Sequence, residues 1–151
     1  MKIYVLGSNT FMFDMVTIKN KLRTLGIDAW IHPDYEDLVA GKKNDMLERM
    51  ASGERAQLKR ENNYLKVHFE HIKESDGVLI VNLKKNNIEN YIGGNCLIEM
   101  GQAYVLSKKI FLSHGMPVGL TYNDEIESMD PICLRGNLEN IKVHSNKEHI
   151  K

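Results

Sequence analysis

The sequence predicts an α/β domain built on a doubly wound, mostly parallel sheet flanked by helices. Three features predict it. Four short apolar runs, 1–6, 27–32, 77–83 and 109–114, alternate with segments of helical spacing, the order that builds parallel sheets. The run "GVLIVNL" is apolar almost throughout, as a central strand covered on both faces must be. The runs also close on Gly, Ser, Asn or Pro, residues that let a chain turn.

Met1 to Leu6 reads as the first strand, and Gly7-Ser8-Asn9 turns the chain. Met12, Met15, Val16, Ile18, Lys19 and Leu22 then recur at helical spacing, with Gly26 as the stop signal. "IDAWIH" restarts as a strand that Pro33 closes. Residues 36–66 are the most polar part of the chain. They read as a solvated helical connection with Glu48, Arg49, Glu54, Arg55, Lys59 and Arg60 facing water; a mobile lid over a site is the alternative. Tyr64 to Ile72 continues as a helix into Ser75-Asp76, followed by the strand 77–83 and a loop over 86–95. Cys96 to Ser107 is the next helix and "KIFLSH" the fourth strand. "TYNDEIESM" suits a short helix and "ICLRG" an edge strand, which completes a flavodoxin- or Rossmann-like three-layer sandwich. One domain is expected over 1–142, with a flexible tail over 143–151.

Composition narrows the classes of function. The chain has 151 residues, 42% apolar and 26% charged, the balance of a globular domain. Its 20 basic and 20 acidic side chains cancel, which argues against a nucleic-acid polymer or an anionic membrane as partner. No stretch nears the ~18 apolar residues of a membrane span, and no leader pattern opens the chain, so a cytoplasmic protein is expected. Cys96 and Cys133 lie far apart in apolar surroundings and read as buried free thiols. The six histidines show no metal-ligand spacing; neither metal nor cofactor is expected.

In doubly wound sheets ligands bind beyond the carboxyl ends of the strands. Two loops matter there, Gly7 to Phe11 and Leu83 to Asn95, both rich in Gly, Ser and Asn. Gly7, able to take positive φ, with Ser8, Asn9 and Thr10, offers backbone N–H groups to a phosphate or a sugar hydroxyl. In "GGNCLIEMGQA", Gly93 and Gly94 let backbone approach a ligand, and Asn95 is placed to cap the helix. Glu99 follows within about one and a half turns of that cap. It is a carboxylate among Leu97, Ile98 and Met100, whose ionised form the helix dipole favours and burial opposes. It suits either a locally satisfied acid or an anionic nucleophile. Gly101 and Ala103 read as packing residues, and Met12 and Met100 as flanking the site. His68 and His71 share a helix face, more in the manner of half-exposed residues than of ligands.

With these residues in view, "KIYVLGSNTFMFDMVTIKNKLRTLGI", "IKESDGVLIVNL" and "YIGGNCLIEMGQAYVLSKKIFL" resemble the nucleoside 2-deoxyribosyltransferase-like superfamily, in particular its small, mostly uncharacterised members. The similarity runs from Lys2 to Leu112 and includes "DEIESMDPI". It implies chemistry at an N-glycosidic bond of a nucleoside or nucleoside 5′-monophosphate. Glu99 would be the nucleophile at the anomeric carbon, Tyr4 would position it, and Gly7, Ser8, Gly94 and Asn95 would hold sugar hydroxyls or a 5′-phosphate. Where the characterised enzymes carry an aspartate eight residues before the position of Asp76, this chain has His68. A histidine, with an ordinary pKa of about 6.5, suits protonation of a leaving base; its presence suits equally a protein that only binds nucleotides. The resemblance also implies a homodimer or higher homo-oligomer, with the helices near 12–25 and 96–106 as its faces. An N-glycosidase or deoxyribosyltransferase is thus the first expectation and a non-catalytic nucleotide sensor the second. A flavin electron carrier fits poorly, since few aromatics lie near the loops.

Overall fold

A computed structural model describes residues 1–145. Five strands, β1 (Lys2–Gly7), β2 (Asp28–Trp30), β3 (Gly77–Val81), β4 (Lys109–Leu112) and β5 (Ile132–Cys133), form one sheet. Their order is β2-β1-β3-β4-β5, and every neighbouring pair is parallel. This is the doubly wound α/β sandwich expected from the alternation of runs.

The strand period of two assigns each side chain to a layer. Ile3 and Val5 of β1, with Leu79 and Val81 of β3, pack with Met15 and Leu22 of α1 (Met12–Thr24) and Ile141 of α8 (Asn140–Ser145). Tyr4, Leu6, Val78 and Ile80 face the other way. There they meet Ile72 of α5 (Tyr64–Lys73), Met100 and Ala103 of α6 (Gly94–Val105) and Ile126 of α7 (Asn123–Ser128). Three short helices, α2 (Pro33–Val39), α3 (Asn44–Ala51) and α4 (Arg55–Glu61), occupy the connection from β2 to α5.

Two strands stop earlier than the apolar runs do, each for a local reason. β2 ends at Trp30 because Pro33 opens α2, with the His32 ring accepting the Asp34 N–H at 3.1 Å; a proline with fixed φ suits a first helical turn. β3 ends at Val81 because the buried Asn82 ties two loops together. Its amide donates to the Gly115 carbonyl at 2.8 Å and accepts from the His114 N–H at 3.0 Å. Cys96 is buried and Cys133 only half-buried, since β5 is a two-residue edge. Of the expected tail, residues 143–145 belong to α8 and 146–151 lie outside the described residues. Among the described residues, no helix is long and apolar enough to cross a membrane.

The strand order reverses direction between β1 and β3, and the crevice beyond their carboxyl ends is where such sheets take ligands.

Candidate functional site

The loop after β1 enters this crevice first. Ser8 caps a single 3-10 turn, Asn9–Phe11, by accepting the Thr10 N–H. Gly7 is not left-handed. A Cβ there would sit 2.9 Å from Met15 Sδ and 3.2 Å from the Val81 carbonyl oxygen, so close packing requires the glycine and not a positive φ. After β3, Asn86 and Asn87 both adopt positive φ, 53° and 59°, and pair Lys85 with Ile88 in a small hairpin. Asparagine tolerates that backbone better than most residues. The hairpin lays Lys85 on the first loop, where its Nζ donates to Ser8 Oγ at 3.0 Å.

The first turn of α6 closes the third side. Its N-cap is Gly93, in extended backbone, and Asn95 lies inside the turn. Asn95 is therefore not the cap expected of it. Its Oδ1 instead accepts a hydrogen bond from Lys59 Nζ of α4 at 2.8 Å. Open space faces Gly94, where an added Cβ would meet nothing within 4 Å.

Glu99 projects from α6 into a cavity, open to solvent on one side, that also borders Gly7, Asn9, His68 and Asn95. It is 5% exposed. No hydrogen-bond donor and no lysine or arginine pairs with it among the described residues; its nearest partner is His68 Nε2, 3.9 Å from Oε1. Burial pushes its pKa up to about 8, with Lys59 opposing. Of the two opposing influences on this acid, the helix dipole and burial, burial prevails. No N–H group reaches the carboxylate, and desolvation outweighs the dipole, so the free protein carries Glu99 protonated at neutral pH.

His68 is buried and not half-exposed. Tyr4 Oη lies 2.7 Å from its Nδ1. Burial, and then the neighbouring His32 and His71, push its pKa down to about 3. A neutral imidazole is a poor proton source near neutrality, so His68 is a hydrogen-bond donor and not the general acid that its ordinary pKa suggested. Burial first, and then Glu99, raise the Tyr4 pKa and keep the phenol protonated. In the tautomer whose Nδ1 accepts the Tyr4 hydroxyl, the imidazole N–H sits on Nε2, toward Glu99. His71 stacks on Tyr4 from behind, with centroids 5.1 Å apart.

The polar connection is the part that sequence reasoning placed least well. Leu38 of α2, Met46 and Met50 of α3 and Leu58 of α4 line the cavity beside Tyr35 and Tyr64. These helices roof the site; the lid alternative describes their placement. The Met46/Met50 pair, four residues apart in a polar segment, is an apolar stripe that a period search could have found. Met12 and Met100 do not line the cavity but pack in the two cores. Asp34 joins the wall, held by Lys43 and by the Tyr64 hydroxyl. Burial raises its pKa, but those two hydrogen bonds and His32 outweigh burial and hold it below the ordinary carboxylate range. Arg49 of α3 staples α4 through a two-pronged contact with Glu61 at 2.8 and 2.9 Å.

A second cleft adjoins the first and shares Asn9, Arg55, Lys59 and Asn95 with it. Ser8, Thr10, Lys85, Gly93 and Gly94 line it too, with Tyr91 and Cys96. Lys59 and Lys85 bond only neutral oxygens there, and among the described residues no carboxylate pairs with Arg55, Lys59 or Lys85. Three uncompensated cations beside the first turn of a helix make a strong anion field. Among the described residues no three His, Cys, Asp or Glu side chains are placed to hold a metal ion.

Comparisons of the chain with protein-family models, curated proteins and solved structures find no match.

Proposed function

We propose that the protein cleaves or transfers the N-glycosidic bond of a nucleoside 5′-monophosphate, with Glu99 as nucleophile, as the resemblance to the nucleoside 2-deoxyribosyltransferase-like superfamily implies. The observation that carries this reading is a buried carboxylate without a hydrogen bond or a cation, opening onto a cavity next to an uncompensated cationic cleft. A carboxyl group so placed ionises at little cost only when a cation or an electrophile meets it, and the cleft needs an anion.

In this reading Arg55, Lys59 and Lys85 take the phosphate, and Ser8, Gly94 and Asn95 the sugar edge. Glu99, protonated in the free protein, first gives its proton to solvent, and an oxygen of the resulting carboxylate attacks the anomeric carbon. The C–O bond forms as the C–N bond breaks, and the bonding pair leaves with the base. His68 Nε2–H hydrogen-bonds the departing base, which then takes a proton from water. Water or a second base attacks the same carbon, the ester bond breaks and the carboxylate is regenerated. An anion at this position stabilises the oxocarbenium-like transition state in both halves.

The test is incubation with nucleosides and 5′-monophosphates followed by chromatography for free base. Release by the wild type and not by Glu99→Gln supports the reading; equal release by both removes Glu99 from the role. A second reading, a nucleotide-binding module without turnover, is favoured by Glu99 being protonated up to about pH 8. Calorimetric binding with no base released at pH 9 would establish it. The implied homo-oligomer is also proposed, with Phe13 of α1 and Ile98 and Val105 of α6, all exposed, as its contact residues. Sedimentation of the wild type against Val105→Glu reads that state.

A further inference from the structure

Apart from Glu99, which the reading above reserves for the sugar, three side chains of the cavity wall, His32, His68 and Asn9, offer donors to a base. His32 Nδ1 accepts the Asp34 backbone N–H at 3.1 Å, so it carries no proton. Burial holds the ring below its ordinary pKa, against Asp34. A neutral ring with a bare Nδ1 has its hydrogen on Nε2, which makes His32 a donor. His68 is also a donor at Nε2 in the tautomer whose Nδ1 accepts the Tyr4 hydroxyl. Asn9 Oδ1 accepts from the Tyr35 hydroxyl at 2.9 Å, which leaves the amide NH₂ with only the Met50 sulfur at 3.7 Å, a weak acceptor. The only side-chain atoms sealed without a partner among the described residues are Gln102 Oε1 and Asn123 Oδ1; the free nitrogens of His32 and His68 open onto the cavity that both residues line.

The other carboxylate of the same wall is engaged, while Glu99 is the acid that the reading above gives to the anomeric carbon. Both Asp34 oxygens are engaged, one by Lys43 and one by Tyr64. Resting on the nucleotide reading above, we infer that the cavity takes bases with exocyclic carbonyl oxygens, such as hypoxanthine and uracil, over their amino counterparts adenine and cytosine. A carbonyl meets one of these N–H groups, whereas an amino group in its place sets donor against donor and leaves both unpaired. An unpaired buried donor discriminates far more strongly than a missing methylene does.

Two matched pairs test this by calorimetry, inosine against adenosine 5′-monophosphate and uridine against cytidine 5′-monophosphate. Glu99→Gln prevents turnover during the titration, and wild type with product analysis provides the same ranking should that variant fold poorly. The expected result is tighter binding of the carbonyl member of each pair by about tenfold or more. Asn9→Asp keeps the acceptor for Tyr35 while replacing the free NH₂ by an oxygen, and narrows that ratio in at least one pair. Equal affinity within both pairs, or preference for the amino member, overturns the inference and leaves the nucleotide reading standing. Absence of binding by all four overturns both.

Discussion

Glu99 has a cost that can be measured without knowing any substrate. Its pKa in the fold is raised, to about 8, while the unfolded chain titrates near its ordinary 4.5. Below 4.5 the carboxyl is protonated in both states and nothing is lost. Between 4.5 and about 8 the folded state must hold a proton that the unfolded chain releases, so stability falls as pH rises. Glu99→Gln lacks that slope. It should match wild type at pH 4 and exceed it at pH 9 by on the order of a few kcal/mol in urea melts; parallel curves across that range would remove the desolvated acid. His68 acts in the opposite direction. Its folded pKa is depressed to about 3, so wild type loses stability as pH falls from 6.5 toward 3, and His68→Gln should lose less. Lys59 is the one cation that eases the ionisation of Glu99. Lys59→Met should therefore move the acid limb of any pH–rate profile to higher pH, and an unmoved limb would break that link.

The elements differ in how visible they were beforehand. β3, wholly apolar, and α6, opened by two glycines, are specified by their own residues, and Gly7, Ser8 and Glu99 were legible for that reason. The roof was not. His32, Asp34, Tyr35, Arg55 and Lys59 reach the cavity only because α2 to α4 fold back over the crevice, a tertiary placement that leaves no local period. Asn95 misled because an Asn before a helix is a good cap in isolation, whereas here a lysine from another helix captures its side chain. Several polar contacts tie the roof to the rest of the fold, and Arg49 is the principal one between α3 and α4. Because that pairing is exposed, Arg49→Met should leave the melting temperature unchanged within error. It should speed amide exchange across residues 44–61 specifically, and unchanged exchange there would mean that apolar contacts alone hold the roof. Gly7→Ala tests a different joint. Met15 can move its sulfur, but the Val81 carbonyl at 3.2 Å cannot retreat without straining β3. A loss of about 1–3 kcal/mol is expected in denaturant titration.

For the whole molecule, a net charge of zero conceals a local excess. The 20 cations and 20 anions balance, yet Arg55, Lys59 and Lys85 face one cleft with no carboxylate partner among the described residues. Screening weakens such a field over a Debye length of about 10 Å at 0.1 M salt. A nucleoside monophosphate should therefore lose affinity as salt rises from 0.05 to ~0.5 M while the parent nucleoside does not, and equal salt slopes would disconnect the cleft from the phosphate. The fold class was readable at this scale because apolar runs alternating with helical spacing build a parallel sheet, whereas the strand order comes from the structure. Which loops would meet was set by the reversal between β1 and β3.

That the roof lies wholly within one crossover, between Pro33 and Glu61, separates two tasks along the chain. The sheet can keep its register while these residues are randomised, so a library confined to them would be a route to retuning selectivity on an unaltered scaffold.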